Sequence, residues 1–339
     1  MRATHVLVTG ATGFLGRHVL DQASERRVLA LVRNPDAWPY EDDTERVHGE
    51  LTGSDWYDDP RLQGVDTILH LAGHVHHSRE HSKDSYTINV DGTLGMVRYA
   101  AHSGARLIMI STSGVVGCFR DSTKTADEDS DYVTDTIARW PYYHSKLVAE
   151  QQATALAEQL GVSLTILRPP MLYGPGDHRF RTTNMAVKIM KRRFPARIPG
   201  GVAFTDIRDV AAAVWACAEL KSPRPVYHLP GETWTVREFF ASIADLGGVK
   251  PPRFALPYRV AHTLAVAVRP LSRWTGKNLM PDPVVVEMGR HHWGMTSKYA
   301  DELNFSPRPA QQTLSDTVQW LREHHPDVRQ ISAQQTPPN

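Results

Sequence analysis

Thr9-Gly10-Ala11-Thr12-Gly13-Phe14-Leu15-Gly16 carries the most structural information in this chain. It follows an apolar run, His5–Thr9 (HVLVT), and opens a segment, 14–23, with helical spacing. A strand, a glycine turn and a helix in that order match the first unit of a dinucleotide-binding sheet. Gly10 allows the tight turn out of the strand. Gly13 lets backbone approach a pyrophosphate, and Gly16 lets the helix pack hard on the sheet. The start of the helix adds N–H groups and a partial positive charge. Gly10, Thr12, Gly13, Phe14, Leu15 and Gly16 are therefore the expected cofactor cradle.

Further along, short β-branched runs alternate with helix-like segments. Strands are predicted at 28–32, 46–48, 66–71, 107–111 and 162–167, and helices at 88–103 and 142–160. Continuous apolar strands in this rhythm imply an α/β fold, a Rossmann-type doubly wound parallel sheet covered on both faces. After Arg168 the rhythm breaks at Pro169-Pro170 and Gly174-Pro175-Gly176. Helices predicted near 183–193, 206–220, 235–246 and 257–269 suggest a smaller, mostly helical C-terminal lobe for substrate. The expected division is 1–168 for the Rossmann domain, with 202–228 returning to it. The substrate lobe takes 169–201 and 229–325, and 326–339 reads as a loose tail.

Composition narrows the function. A chain of 339 residues, 41% hydrophobic, can bury a large core. A net charge of +1 gives no field for non-specific nucleic-acid binding. Cys118 and Cys217 are the only two cysteines and lie far apart, which argues against a disulfide framework or a cysteine zinc site. No secretory leader and no apolar stretch of membrane-spanning length is read, so the expected location is cytoplasmic.

The second strand ends Val32-Arg33-Asn34-Pro35, where an acidic residue would accept hydrogen bonds from the 2′-hydroxyl of an adenosine ribose. Arg33 would instead pair with a 2′-phosphate, which favours NADP(H) over NAD(H). Arg17 or His18 would supplement that charge. Glu50 and Leu51 are placed to flank the adenine. Leu71, Ala72 and Gly73 end the fourth strand, where the dinucleotide passes close to backbone.

Tyr142-Tyr143-His144-Ser145-Lys146 places Tyr142 and Lys146 one helical turn apart on one face. A free phenol, with a pKa of about 10, is a poor base. A neighbouring ammonium would lower it, and Lys146 can also hold ribose hydroxyls. Tyr143 is in the wrong register. A hydroxyl among Ser111, Thr112 and Ser113, at the carboxyl end of the fifth strand, lies where such sheets bind ligands.

Together these residues resemble the extended short-chain dehydrogenase/reductase family over roughly residues 4 to 325. The matching segments are 9–16, His70-Leu71-Ala72, Asn89-Val90-Asp91-Gly92-Thr93, 112–117, Tyr142 to Lys146, Arg168-Pro169, and 206–211. The resemblance implies a catalytic set of Thr112, Tyr142 and Lys146, Thr112 being five residues before Gly117. It implies that Pro169 lies beside the nicotinamide, and a homodimer through the helix of Tyr142. Ser113, His74, Met171 and Tyr173 are the expected substrate contacts.

Ser113-Gly114 stands where the dehydratases of that family carry Asp-Glu, so water elimination lacks its groups. The Asp206-Ile207-Arg208-Asp209-Val210 segment and Val32-Arg33-Asn34-Pro35 look most like the dihydroflavonol reductase and 3β-hydroxysteroid dehydrogenase branch. The implied activity is an NADP(H)-dependent interconversion of alcohol and ketone on a hydrophobic small molecule. The alternative is a sugar-nucleotide epimerase with tightly bound NAD.

Two features remain. His74, His76, His77 and His81 cluster after the fourth strand, with no carboxylate spaced to complete a metal site. A polar loop at the cleft rim, with one histidine on substrate and no metal, is expected. The helix near 257–274 has Val260, Leu264, Val268 and Leu271 at helical spacing. The ordinary reading is a core helix of the substrate lobe; the alternative is a peripheral membrane contact.

Overall fold

A computed structural model describes residues 5–80, 82–275 and 280–328. Its centre is a seven-stranded parallel sheet. The strands in chain order are β1 (His5–Thr9), β2 (Arg27–Val32), β3 (Glu45–His48), β4 (Thr67–His70), β5 (Arg106–Ile110) and β6 (Leu164–Arg168), followed by Val226–His228. Their spatial order is Val226–His228, β6, β5, β4, β1, β2, β3. The order reverses between β1 and β4, and in open α/β sheets that switch point opens the ligand crevice.

The strands are apolar throughout because both faces are covered. In β1, Val6 and Val8 join one core with helix α1 (Phe14–Asp21) and helix Ile207–Glu219. Leu7, pointing the other way, joins a second core with helices Gly92–Ser103 and Pro141–Leu160. β2 and β5 split in the same manner, Ala30 and Ile108 to the first core, Leu29 and Leu107 to the second. The period-2 geometry of a strand turns an unbroken apolar run into two buried faces.

Beyond β6 the chain builds a second unit around a three-stranded sheet of Met171–Tyr173, Gly201–Asp206 and Glu232–Thr235. The lobe is therefore less purely helical than its sequence suggests. Gly201–Asp206 belongs to this small sheet, so the return to the large sheet starts at Ile207 rather than at residue 202. Residues 326–328 are not loose: Val328 is buried in the lobe core and Asp327 pairs with Lys191 at 2.5 Å. The rest of the expected tail, 329–339, lies outside the described residues.

Helix Tyr258–Thr275 reverses the expectation for it. Ala261 and Ala265 are its buried residues, packed against Val286 and Met280. Val260, Leu264 and Leu271, expected in the core, face solvent. Small residues allow close helix packing, and the larger apolar stripe is left outside. No helix among the described residues is long and apolar enough to cross a membrane. Cys118 and Cys217 are both free and buried, and burial pushes both thiols up.

Candidate active site

Residues from the ends of β1, β4 and β5 converge with the first turns of helix Pro141–Leu160. Gly10 has a φ of +71°, and a Cβ there would lie 2.6 Å from the amide nitrogen of Ala72. A Cβ on Gly16 would lie 2.2 Å from the Gly10 carbonyl oxygen. Neither position tolerates a side chain. Gly13 begins α1 with no capping side chain and no acidic residue in the first turn. The helix N-terminus is thereby left to an anion. Thr12 accepts a hydrogen bond from Arg179 at 3.3 Å, so a basic side chain from beyond the Gly174-Pro175-Gly176 turn reaches this loop. This cradle fits the pyrophosphate of a dinucleotide.

Arg33 follows β2, is exposed, and makes no ion pair among the described residues. Arg17 is committed elsewhere, to Asp21 at 2.6 Å and Asp42 at 2.7 Å, with its guanidinium 4.4 Å from the Tyr40 ring centre. His18 bonds the Pro175 carbonyl, and burial pushes it below its usual range. The expected supplement to Arg33 from these two is therefore absent. Leu51 packs against helix Gly92–Ser103 where Gly95 has no room for a Cβ, which would meet the Leu51 oxygen at 2.0 Å. Glu50 beside it is exposed, and its carbonyl accepts from Trp56.

His70 closes β4. Its ring bridges the Thr9 and Thr93 hydroxyls at 2.8 and 3.0 Å, and it is fully buried. Burial pushes it down to about 3, so the folded protein refuses a proton that the unfolded chain takes near pH 6.5. The unfolded state binds more protons below that point, and stability falls as pH drops. Urea unfolding between about pH 7 and pH 4 is expected to show this loss, with a shallower slope in His70→Asn. An equal slope in the variant would place the acid sensitivity elsewhere.

The Thr112 hydroxyl stands beside the Tyr142 phenol and accepts from the Gly114 amide at 3.3 Å, and the backbone amide of Ser113 donates to the Pro169 carbonyl at 2.8 Å. Tyr142 is half-buried, and desolvation pushes its phenol up to about 12, with the Thr112 hydroxyl opposing. Tyr143 points away: its ring packs where a Cβ on Gly114 would be, 2.1 Å from the Tyr143 Cε1, and against Trp293.

Lys146 is buried, and its Nζ donates to the Ile110 carbonyl at 2.8 Å. Burial lowers it to about 8, with Glu150 opposing. The expected lowering of the phenol by the ammonium is thus not what this arrangement delivers, because burial dominates both groups and Lys146 faces Ile110. A Cβ on Gly73 would lie 3.4 Å from the Lys146 Nζ and 3.5 Å from the Asn89 Oδ1. The ammonium therefore stands over the end of β4, next to the residues that meet Gly10.

Sequence reasoning overlooked a role for Asn89. It sits in a π-helical turn, Thr87–Asp91, a distortion often found at functional sites. Its amide nitrogen donates to the His74 carbonyl and to Ser145 Oγ, and its oxygen accepts from the His74 amide. It thus ties the loop after β4 to the helix of Tyr142. The π turn is the structural signal, and no periodicity in the sequence announces it.

The expected substrate contacts divide. Ser113 is buried beside Thr112. His74 is held by Ser85 at 3.1 Å and stacks on His76. The histidine against the phenol is His77 instead, edge-on to Tyr142 with ring centres 5.3 Å apart. Its Nδ1 is buried without a hydrogen-bond partner among the described residues, and burial pushes the ring down to about 4. Tyr173 is no surface contact: it is buried between Phe204 and Phe239 in the lobe core, and Met171 packs on the same cluster. Among the described residues no group of three or more His, Cys, Asp or Glu is gathered to hold a metal. His81 lies outside them.

The model of the NAD dependent epimerase/dehydratase family matches residues 6–229. A putative dihydroflavonol 4-reductase of Synechocystis sp. is 26% identical over 328 residues, covering 94% of both chains. The sterol demethylase protein B of Methylococcus capsulatus is also 26% identical over 328 residues, covering 94% of this chain and 98% of its own. Among solved structures, gox2253 superimposes with a TM-score of 0.79 at 27% identity, over 95% of this chain and 98% of its own.

Proposed function

The chain belongs to the NAD dependent epimerase/dehydratase family of extended short-chain dehydrogenase/reductases, and from that premise we propose that it reduces a ketone on a hydrophobic small molecule with NADPH. The observation that carries this reading is the half-buried Tyr142 phenol, set beside Thr112 and near the glycine cradle, with Ser113-Gly114 in place of an acidic pair and no carboxylate acting on it among the described residues. A phenol pushed up to about 12 is held protonated. Protonated, as a phenol is at neutral pH, it can donate to a developing alkoxide.

A bound NADPH would supply the hydride. Gly10, Thr12, Gly13, Phe14, Leu15 and Gly16 would hold its pyrophosphate, and Arg33 its 2′-phosphate. Leu71, Ala72, Gly73 and Pro169 would line its path, with Glu50 and Leu51 at the adenine. Tyr142 gives its proton to the substrate oxygen. Thr112 hydrogen-bonds that oxygen and positions the phenol. Lys146, held by the Ile110 carbonyl, offers its remaining N–H bonds to ribose hydroxyls. Ser113 and His77 border the substrate. The names of the relatives, a dihydroflavonol reductase and a sterol demethylase protein, support an apolar carbonyl compound.

The cofactor assignment has its own test. Arg33→Glu is expected to weaken NADPH by about 10²-fold, because a charge-assisted pair becomes a repulsion, while NADH changes by less than about threefold. Titration of both cofactors, followed by carbonyl-dependent oxidation of each, checks it. Equal loss for both, or none, would remove Arg33 from the 2′-phosphate.

A further inference from the structure

Helix Tyr258–Thr275 exposes a continuous apolar stripe. Val260, Leu264, Ala267, Leu271 and Trp274 follow the spacing of one helix face, and all are exposed. Trp274 is 86% exposed, and Phe254, just before the helix, is 72% exposed. The opposite face is seated through Ala261 and Ala265. An exposed apolar surface of this kind marks an interaction site.

Charge identifies the partner. From 246 to 281 the chain carries Lys250, Arg253, Arg259, Arg269, Arg273 and Lys277, and no acidic residue. Lys250, Arg253, Arg259 and Arg273 are exposed. A second copy of this chain docked through the same patch would bring like charges together. An anionic surface with an apolar layer beneath complements both features. We propose that this helix seats the protein on an anionic lipid bilayer, with Trp274 and the leucines in the acyl boundary and Lys250, Arg253 and Arg259, which have no acidic partner among the described residues, at the headgroups.

The placement of the helix links this surface to the site. Glu80 pairs with Arg269 at 2.9 Å and also with Arg273. It ends the loop that carries His77 against Tyr142, and Val75 on the same loop is exposed. The bilayer-facing helix is therefore bolted to the rim of the cleft. This deepens the proposed function and rests on it in one respect: a hydrophobic ketone would be drawn from the membrane rather than from water.

The test measures binding without substrate, so its failure is separate from a failure of the reductase reading. The full chain is sedimented with vesicles of phosphatidylcholine, alone or with about one-third phosphatidylglycerol. Wild type is expected to partition at least roughly tenfold better onto the anionic vesicles, and to be released by salt. Leu264→Glu with Leu271→Glu is expected to reduce that partition by more than about tenfold, and Trp274→Ala by about threefold. Trp274→Ala, at a solvent-exposed position, keeps the test open if the double variant fails to fold. Reduction of a water-soluble ketone should be unchanged in each folded variant. Equal partition of wild type and folded variants, or no binding to anionic vesicles, would overturn the proposal. So would a wild-type dimer that the substitutions split, which would make the stripe an interface between copies.

Discussion

Tyr142→Phe is expected to lower kcat/KM by about 10²–10⁴-fold, the usual weight of general acid catalysis. The phenol lies beside Thr112 and shares a helix face with Lys146, one turn away. Removing its oxygen leaves the ring in place, since His77 packs edge-on at 5.3 Å and Tyr143 at 5.0 Å. The glycine cradle and the Lys146 bond to Ile110 are untouched. Dinucleotide affinity is therefore expected to stay within about twofold, a loss of transition-state binding alone. Steady-state kinetics with a cofactor titration separate the two quantities. Activity within tenfold of wild type would put the proton on another group, with His77 the nearest candidate.

Glu150→Ala is expected to destabilise the fold by about 3–5 kcal/mol, or roughly 4–7 °C in Tm for a chain of this length. Glu150 lies one turn beyond Lys146 and is 0% exposed, against 5% for the Arg168 side chain it pairs with at 2.5 Å. Arg168 also reaches the Tyr132 hydroxyl at 3.2 Å and His228 at 3.3 Å. Those neutral partners do not compensate a buried guanidinium, so truncating the carboxylate strands the charge. The pair fastens the helix of Tyr142 to the end of β6. Adding Arg168→Met to Glu150→Ala should recover part of the loss, because no charge then remains buried. Thermal and urea unfolding of the single and double variants measure this. A double variant less stable than Glu150→Ala would show that Arg168 contributes by packing rather than by its pairing.

Much of this was legible before any coordinates, and for identifiable reasons. In the turn at 10–16, Gly10 needs the positive φ that glycine supplies and Gly16 needs the space of a missing side chain, so the turn announces itself locally. The register of Tyr142 over Tyr143 follows from one helical turn, and the Tyr143 ring packs on Gly114. Long-range packing was not legible. Tyr173 reads as a cleft residue because it follows Pro169 closely, yet the small sheet turns it into the core between Phe204 and Phe239. His77 could not be told from His74 by sequence, because Asn89 and Ser85 decide which ring faces the phenol. The stripe at 260, 264 and 271 has the spacing of a core face, and spacing alone does not say which side is buried. The phenol was expected below its usual range because an ammonium lies one turn away, whereas in the folded protein desolvation pushes it up, only Thr112 opposes that, and Lys146 is turned to the Ile110 carbonyl.

The most direct measurement is the fate of the cofactor hydrogen during reduction of an apolar ketone. With NADPH carrying deuterium at the transferred position, the predicted product is an alcohol bearing one deuterium on the carbinol carbon, formed one-to-one with oxidised cofactor and lost in Tyr142→Phe. Interconversion of a nucleotide sugar with no net oxidation of cofactor would contradict the account.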